Sequence, residues 1–230
     1  MTSVGLVGGL GPESTIDYYR RVIEAWQRHD PATTPPIVID SLDPNRALSL
    51  VQNDASAFFD YILDSVRRLA AAGVDFIAIT ANTPHLMYDE LAAVSSRPMI
   101  SIVEVCAEEA RRRGIRRPLL LGTRFTMEAP FYPAVLGRFD IAVVTPDEGE
   151  RRWVHARYVD ELLKGDLRDE TRRSFVSLIE RLRDEQGIDA VILGGTELPL
   201  LLQSPTAAGL PVLDTTALHV NAIVERLRRS

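Results

Sequence analysis

The sequence predicts an α/β protein built as two similar open parallel sheets with a ligand cleft between them. Two observations carry that expectation. Short, continuously apolar runs alternate with amphipathic helical stretches, the pattern of strands buried on both faces in βαβ units. The pattern also repeats. Gly73-Val74-Asp75-Phe76-Ile77-Ala78-Ile79-Thr80-Ala81-Asn82-Thr83 aligns with Gly187-Ile188-Asp189-Ala190-Val191-Ile192-Leu193-Gly194-Gly195-Thr196-Glu197 at an offset of 114 residues. The same offset sets Val4-Gly5-Leu6-Val7-Gly8 on Pro118-Leu119-Leu120-Leu121-Gly122, and an offset of 113 sets Pro98-Met99-Ile100 on Pro211-Val212-Leu213. Three segments in one register point to an internal duplication.

In chain order, strands are expected at Val4–Val7, Pro36–Ile39, Phe76–Ile79, Met99–Ile102, Leu119–Leu121, Ile141–Val144, Ala190–Leu193 and Val212–Leu213. Between them, Ile16, Tyr19, Ile23 and Trp26 make one helical stripe, with Pro12 suited to the first position of that helix. Phe58, Ile62, Val66 and Leu69 make a second stripe, and Phe175, Leu178, Ile179 and Leu182 a third. Ligands of open parallel sheets bind beyond the carboxyl ends of the strands. Here those ends carry Gly8-Gly9-Leu10-Gly11, Ala81-Asn82-Thr83, Gly122-Thr123 and Gly194-Gly195-Thr196.

Composition narrows the function classes. With 46% hydrophobic and 25% charged residues in 230, the chain reads as a soluble globular protein, not a disordered, collagen-like or coiled-coil one. A net charge of −6 without a basic block argues against nucleic acid or an anionic membrane as partner, and leaves a small acid possible. The single cysteine, Cys106, excludes an intramolecular disulfide and a cysteine-based zinc site. No His/Asp/Glu spacing suggests any other metal, and Gly-x-Ser-x-Gly is absent. No apolar run approaches the ~18–20 residues of a membrane helix. Met1-Thr2-Ser3-Val4-Gly5 has no basic signal-peptide region, so a cytoplasmic location is expected. Of 26 basic residues only Lys164 is a lysine.

The motifs leave alternatives open. Gly8-Gly9-Leu10-Gly11-Pro12 either offers backbone N–H groups to a carboxylate at a helix start or is only a tight turn. It is not a dinucleotide fingerprint, because Ser14 stands at the last glycine position and Pro12 lacks an N–H. Asn82-Thr83-Pro84-His85 either caps a helix or hydrogen-bonds a substrate's carboxylate and amino group, and Thr196-Glu197 carries the same ambiguity. Cys106 reads as a small buried residue in a helix over Val103–Arg113, and His29, His155 and His219 read as structural.

Taken together, Gly8-Gly9-Leu10-Gly11-Pro12-Glu13-Ser14-Thr15, Ala81-Asn82-Thr83-Pro84-His85 and Leu193-Gly194-Gly195-Thr196-Glu197-Leu198-Pro199 resemble the aspartate/glutamate racemase family over essentially the whole chain. The resemblance implies two pseudo-symmetric Rossmann-like domains, 1–100 with 216–230 and 101–215, the last helix packing on the first. It implies a homodimer, no pyridoxal phosphate or other cofactor, and a small dicarboxylic amino acid held between the domains. By position it assigns carboxylate contacts to Asn82, Thr83 and Thr196, with backbone groups around Leu10. Arg46, in Asp43-Pro44-Asn45-Arg46, matches the loop arginine for a distal carboxylate, and Thr123 and Thr126 match the second-half hydroxyls. Lys164 matches the lysine that reaches a side-chain carboxylate; its alternative is a cation at a helix end before Gly165.

One departure bears on the chemistry. The family moves a Cα proton with two cysteines, in Cys-Asn-Thr-x-His and Gly-Cys-Thr-Glu, and this chain has Ala81 and Gly195 there. Neither can carry a proton. His85 and Glu197 are the nearest replacements as acid/base groups, or else they only hold the loops. The expected function is therefore a cofactor-independent racemase-family protein binding an aspartate- or glutamate-like acid, with isomerase or lyase chemistry beside the carboxylate. The alternative is a carboxylate-binding protein that has lost the two-thiol chemistry.

Overall fold

Continuous apolar runs become the central strands, where both faces are covered and only aliphatic side chains fit. In the computed structural model, which describes residues 1–229, β1 (Val4–Gly8) is buried along its whole length. It is followed by α1 (Pro12–Gln27), β2 (Ile37–Ser41), α2 (Pro44–Asn53), α3 (Ala55–Ala71), β3 (Phe76–Ile79), a 3-10 turn at Thr83–Met87, α4 (Tyr88–Val94) and β4 (Met99–Ile100). The four strands form one parallel sheet in the order β2-β1-β3-β4. Aspartates start two of its helices: Asp43 accepts from the N–H groups of Asn45 and Arg46, and Asp54 from Ala57.

The chain then runs through α5 (Ile102–Arg112), β5 (Pro118–Gly122), α6 (Arg124–Glu128), α7 (Phe131–Gly137) and α8 (Glu148–Asp160). After a 3-10 turn at Leu162–Lys164 come α9 (Asp169–Gln186), β6 (Ala190–Gly194), α10 (Leu198–Leu201), β7 (Thr206–Ala207), β8 (Leu210–Asp214) and α11 (Thr215–Leu227). This second sheet has the order β5-β6-β8-β7, parallel except for the short β7. Contacts divide the chain into one unit of Met1–Ile102 with the segment from His219 onward, and another of Val103–Leu218.

In the first unit, Phe58, Ile62, Val66 and Leu69 of α3 cover one sheet face at Val7, Ile77 and Ile79. Tyr18, Val22 and Trp26 of α1, with Val220, Ile223, Val224 and Leu227 of α11, cover the other at Val4, Leu6 and Phe76. In the second unit, Phe175, Leu178, Ile179 and Leu182 of α9 pack with Leu119, Leu121, Val191 and Leu193. Among the described residues no helix is long and apolar enough to cross a membrane.

The repeat is visible in the ladders. Val4 pairs with Phe76 in one sheet and Pro118 with Ala190 in the other, each displaced by the offset of the sequence repeat. A matching aspartate ties each pair of strands. Asp75 accepts from the Ser3 N–H and hydroxyl at 2.7 and 2.8 Å, and Asp189 from the Arg116 and Arg117 N–H groups at 2.6 and 2.9 Å.

Three sequence expectations are corrected. Ile141–Val144 is not a strand but a single parallel bridge, Leu119 to Val144. The Ala142 and Val144 N–H groups bond to Arg116 and Pro118 carbonyls; the next donor along would be Pro146, which has none, so the ladder stops. The Met99 run ends at Ile100, and Ile102 opens α5. The stripe on α1 is out of phase except at its end: Trp26 is buried as expected, but Tyr18 and Val22 face inward before it, whereas Ile16 and Tyr19 are 52% and 48% exposed. Thr15 sets that phase, because its Oγ1 accepts the Gly9 N–H at 2.8 Å and so turns residue 15 toward the sheet. Residues three, seven and eleven further on follow it.

The corrected phase makes a stability prediction. Tyr18→Ala should cost about 3–5 kcal/mol, and Ile16→Ala should stay within about 0.5 kcal/mol. Urea midpoints of the two variants measure both, and equal losses would contradict the phase.

Candidate functional site

At the end of β1 the chain turns at Gly9, which has a left-handed φ of 79°. A Cβ there would lie 2.5 Å from the Leu42 nitrogen and closer still to its carbonyl oxygen, so glycine is required twice over. The Gly9 N–H is spent on Thr15. The tight-turn role of this loop is thus built in, and Leu10 stands half-buried just beyond it.

At the end of β3, Asn82 is buried, and Ala81 and Thr83 are half-buried. Asn82 precedes the 3-10 turn in helical conformation and makes no side-chain cap. His85 reaches back under this loop. Its Nε2 accepts the Ile102 N–H at 3.2 Å, so Nδ1 carries the proton and donates to the Ala81 carbonyl at 3.0 Å. Tyr88 stacks on the ring with centroids 5.2 Å apart. Burial, reinforced by the neighbouring His219, pushes His85 down to about 3. Both ring nitrogens are engaged, so the acid/base expectation for His85 meets a residue that clamps Ala81 to the start of α5. His219 is held likewise, accepting from the Tyr18 hydroxyl at 3.1 Å and donating to the Ile100 carbonyl at 3.2 Å; burial pushes it down to about 4.

In the second unit, Thr123 caps α6, its Oγ1 accepting the Thr126 N–H at 3.2 Å. The Thr126 hydroxyl lies 3.2 Å from the same oxygen, and Thr126 is fully buried. Of the two hydroxyls expected to face a ligand, only Thr123 is even partly open. The Arg124 N–H donates to His155 Nδ1 at 3.3 Å, so α8 borders this strand end.

At the end of β6, Gly195, Thr196 and Glu197 are all buried. The Tyr158 hydroxyl, from α8, donates to Glu197 Oε2, and the Thr196 hydroxyl donates to the same oxygen at 3.1 Å. Burial raises Glu197 above the ordinary carboxylate range, against the lowering effect of these donors. Burial, then the Glu197 charge, likewise raises Tyr158 well above the usual phenol range. Sequence reasoning did not find Tyr158. A Cβ on Gly195 would fall 2.7 Å from its hydroxyl oxygen and 2.9 Å from Cζ.

The two expected carboxylate cations are exposed. The Arg46 guanidinium lies over the Tyr61 ring, 4.6 Å from its centroid, and the Tyr61 hydroxyl accepts the Asp43 N–H at 2.9 Å. Lys164 ends the 3-10 turn before left-handed Gly165, with Asp160 4.0 Å away as an ion partner. Cys106 is fully buried in α5, and burial pushes its thiol up to about 12. Among the described residues no group of three or more His, Cys, Asp or Glu is arranged to hold a metal.

The profile of the Asp/Glu/Hydantoin racemase family matches residues 7–223. A broad specificity amino-acid racemase of Bacillus subtilis (strain 168), RacX, is 28% identical over 93% of both chains. The crystal structure of an aspartate racemase homologue from Pyrococcus horikoshii OT3 is 34% identical over the whole of both chains, with a TM-score of 0.83. The Picrophilus torridus aspartate racemase, at 22% identity over 99% of this chain and 95% of its own, shares the fold with a TM-score of 0.81.

The buried histidines predict an acid-sensitive first unit. His85 and His219 are neutral when folded and take up protons near pH ~6.5 when unfolded. The unfolded state therefore binds more protons below that pH. Stability is full above pH ~6.5 and falls toward pH 4 and below, by up to about 1.4 kcal/mol per pH unit for each histidine. Glu197, raised in the fold, works in the opposite direction. Urea midpoints at several pH values should give a shallower acid slope for His219→Gln than for the parent; identical slopes would contradict neutral burial.

Proposed function

Because the chain belongs to the Asp/Glu/Hydantoin racemase family, we propose that it binds a small amino acid or dicarboxylate of aspartate or glutamate size at the carboxyl ends of its strands, without thiol chemistry. The observation that carries this reading is one of retention and loss. The strand ends keep Asn82, Thr83, Thr123 and Thr196, while Ala81 and Gly195 stand where the two proton-carrying thiols are expected. An amino-acid ligand is supported by the names of the relatives, one an amino-acid racemase and one an aspartate racemase homologue.

In this reading the amide and hydroxyls, with backbone groups near Leu10, hydrogen-bond the α-carboxylate, and Arg46 and Lys164 serve a distal carboxylate. Arginine offers a planar fork and lysine a mobile point charge. Thr126 supports Thr123 and does not touch ligand. His85 holds the Ala81 loop. Glu197 holds Tyr158 and Thr196 in place. His85 spends both ring nitrogens, and Glu197 is bonded to Tyr158 and Thr196, so in this reading the protein is a carboxylate binder without proton transfer at Cα.

A homodimer is part of the same reading. Ile16 and Tyr19 on α1 and Val38 and Ile39 on β2 are exposed, and Thr15 and Ile39 both border Gly8, so the two elements adjoin. A second copy would cover that apolar edge. Light scattering should give a dimer that Tyr19→Arg shifts toward monomer; a monomeric parent would remove this part.

Calorimetry with both enantiomers of aspartate and of glutamate tests the binding reading. At least one should bind, and Arg46→Ala and Lys164→Ala should each weaken it about tenfold or more, the value of one charge-assisted bond. Unchanged affinity removes that cation from the site, and failure of all four acids to bind the parent sinks the proposal.

A further inference from the structure

We propose that Tyr158 determines the chemistry of the second unit's strand end: its ring occupies the space of a side chain at position 195, and its hydroxyl, tied to Glu197, faces this end with oxygen where a thiol cannot fit. The functional consequence rests on the reading of this end as the binding site; the steric claim stands apart from it.

The clash is not one that either backbone can relieve. β6 lies between β5 and β8, hydrogen-bonded on both sides, so Gly195 leaves the sheet from a fixed position. Gly195 is not among the left-handed glycines, so sterics alone forbid a side chain there. α8 is equally fixed. Its first turn closes with a reciprocal capping box between Asp147 and Glu150, and Val154 and Tyr158 are buried in the core with Leu162, Phe175 and Leu198.

Nor can the ring swing aside freely. Tyr158 is 3% exposed, and its hydroxyl donates to a buried carboxyl oxygen that also holds Thr196. Moving it would leave Glu197 without its closest donor inside the protein, a costly state for a buried polar group. Residues 158 and 195 therefore form a coupled pair: a side chain at 195 requires a small residue at 158. Restoring sulfur at positions 81 and 195 alone is then insufficient.

The test is a double-mutant cycle of Gly195→Cys, Tyr158→Ala and their combination, read by urea unfolding. Gly195→Cys should be strongly destabilised. The combined variant should be more stable than Gly195→Cys, although it carries a second truncation of the core. Tyr158→Phe keeps the ring, so combining it with Gly195→Cys should not give this relief. Additive losses, or a combined variant no better than Gly195→Cys, overturn the proposal.

The same variants on an Ala81→Cys background give a chemical readout. In two-thiol racemisation one thiolate takes the Cα proton, the electron pair passes into the substrate carboxylate, and the second thiol returns a proton to the opposite face. Racemisation of aspartate above the level of the parent should appear with Tyr158→Ala included and be absent with Tyr158 intact. Racemisation by Ala81→Cys with Gly195→Cys alone overturns the proposal. A coupled stability cycle with no racemisation in any variant upholds Tyr158 as the excluding residue and counts against the strand-end site.

Discussion

Burial of β1 and β3 in one sheet, and of β5 and β6 in the other, on both faces at once is the constraint from which the remaining structure follows. Strands so enclosed must be apolar throughout, and their backbone groups must be satisfied by parallel neighbours. Polar groups can enter only where the strands end, so the amide and hydroxyls gather at Asn82, Thr83, Thr123 and Thr196. The same enclosure fixes where each strand ends, which is why Gly9 and Gly195 tolerate no added atom.

Buried polar residues at these ends are matched one by one. His85 spends one ring nitrogen on the loop carrying Ala81 and the other on α5. Glu197 accepts from Tyr158 and Thr196. Such arrangements hold a loop in one conformation because each unmatched group would carry a desolvation penalty of about 1–3 kcal/mol. Holding also consumes capacity for proton transfer. His85 has no lone pair left to act as a base, and the groups that remain at the second end are an unionised phenol and a carboxyl pushed toward its neutral form. Ala81 and Gly195 offer no proton-carrying group, and the residues beside them are held by hydrogen bonds.

Much of this was legible in the sequence because it is local or periodic. The repeat offset predicted two similar halves, and the ladders of the two sheets correspond at that offset; the α3 and α9 stripes named the side chains that cover them. The family is visible in three motifs, and the match over residues 7–223 bears it out. Where reading failed, a constraint outside the apolar pattern had intervened. Thr15 rotated α1 away from its most apolar stripe, and Pro146 cut a strand that its own residues favour. Tyr158 had no local signal at all. It lies 37 positions before Gly195 on a different element, and only the packing of α8 against the end of β6 brings the two together. The missing side chain at 195 was the trace it left in the sequence.

The central claim is that these strand ends bind without thiol chemistry, and proton exchange in heavy water tests it most directly. Each enantiomer of aspartate and glutamate is incubated with the unmodified protein, and loss of the α-proton signal is followed by NMR. No exchange above a protein-free control is predicted, and alkylation of Cys106 should change nothing, since its thiol is buried and pushed up to about 12. Rapid exchange that racemises either acid and survives Cys106→Ser would contradict the account and require a pair of non-sulfur bases at these ends.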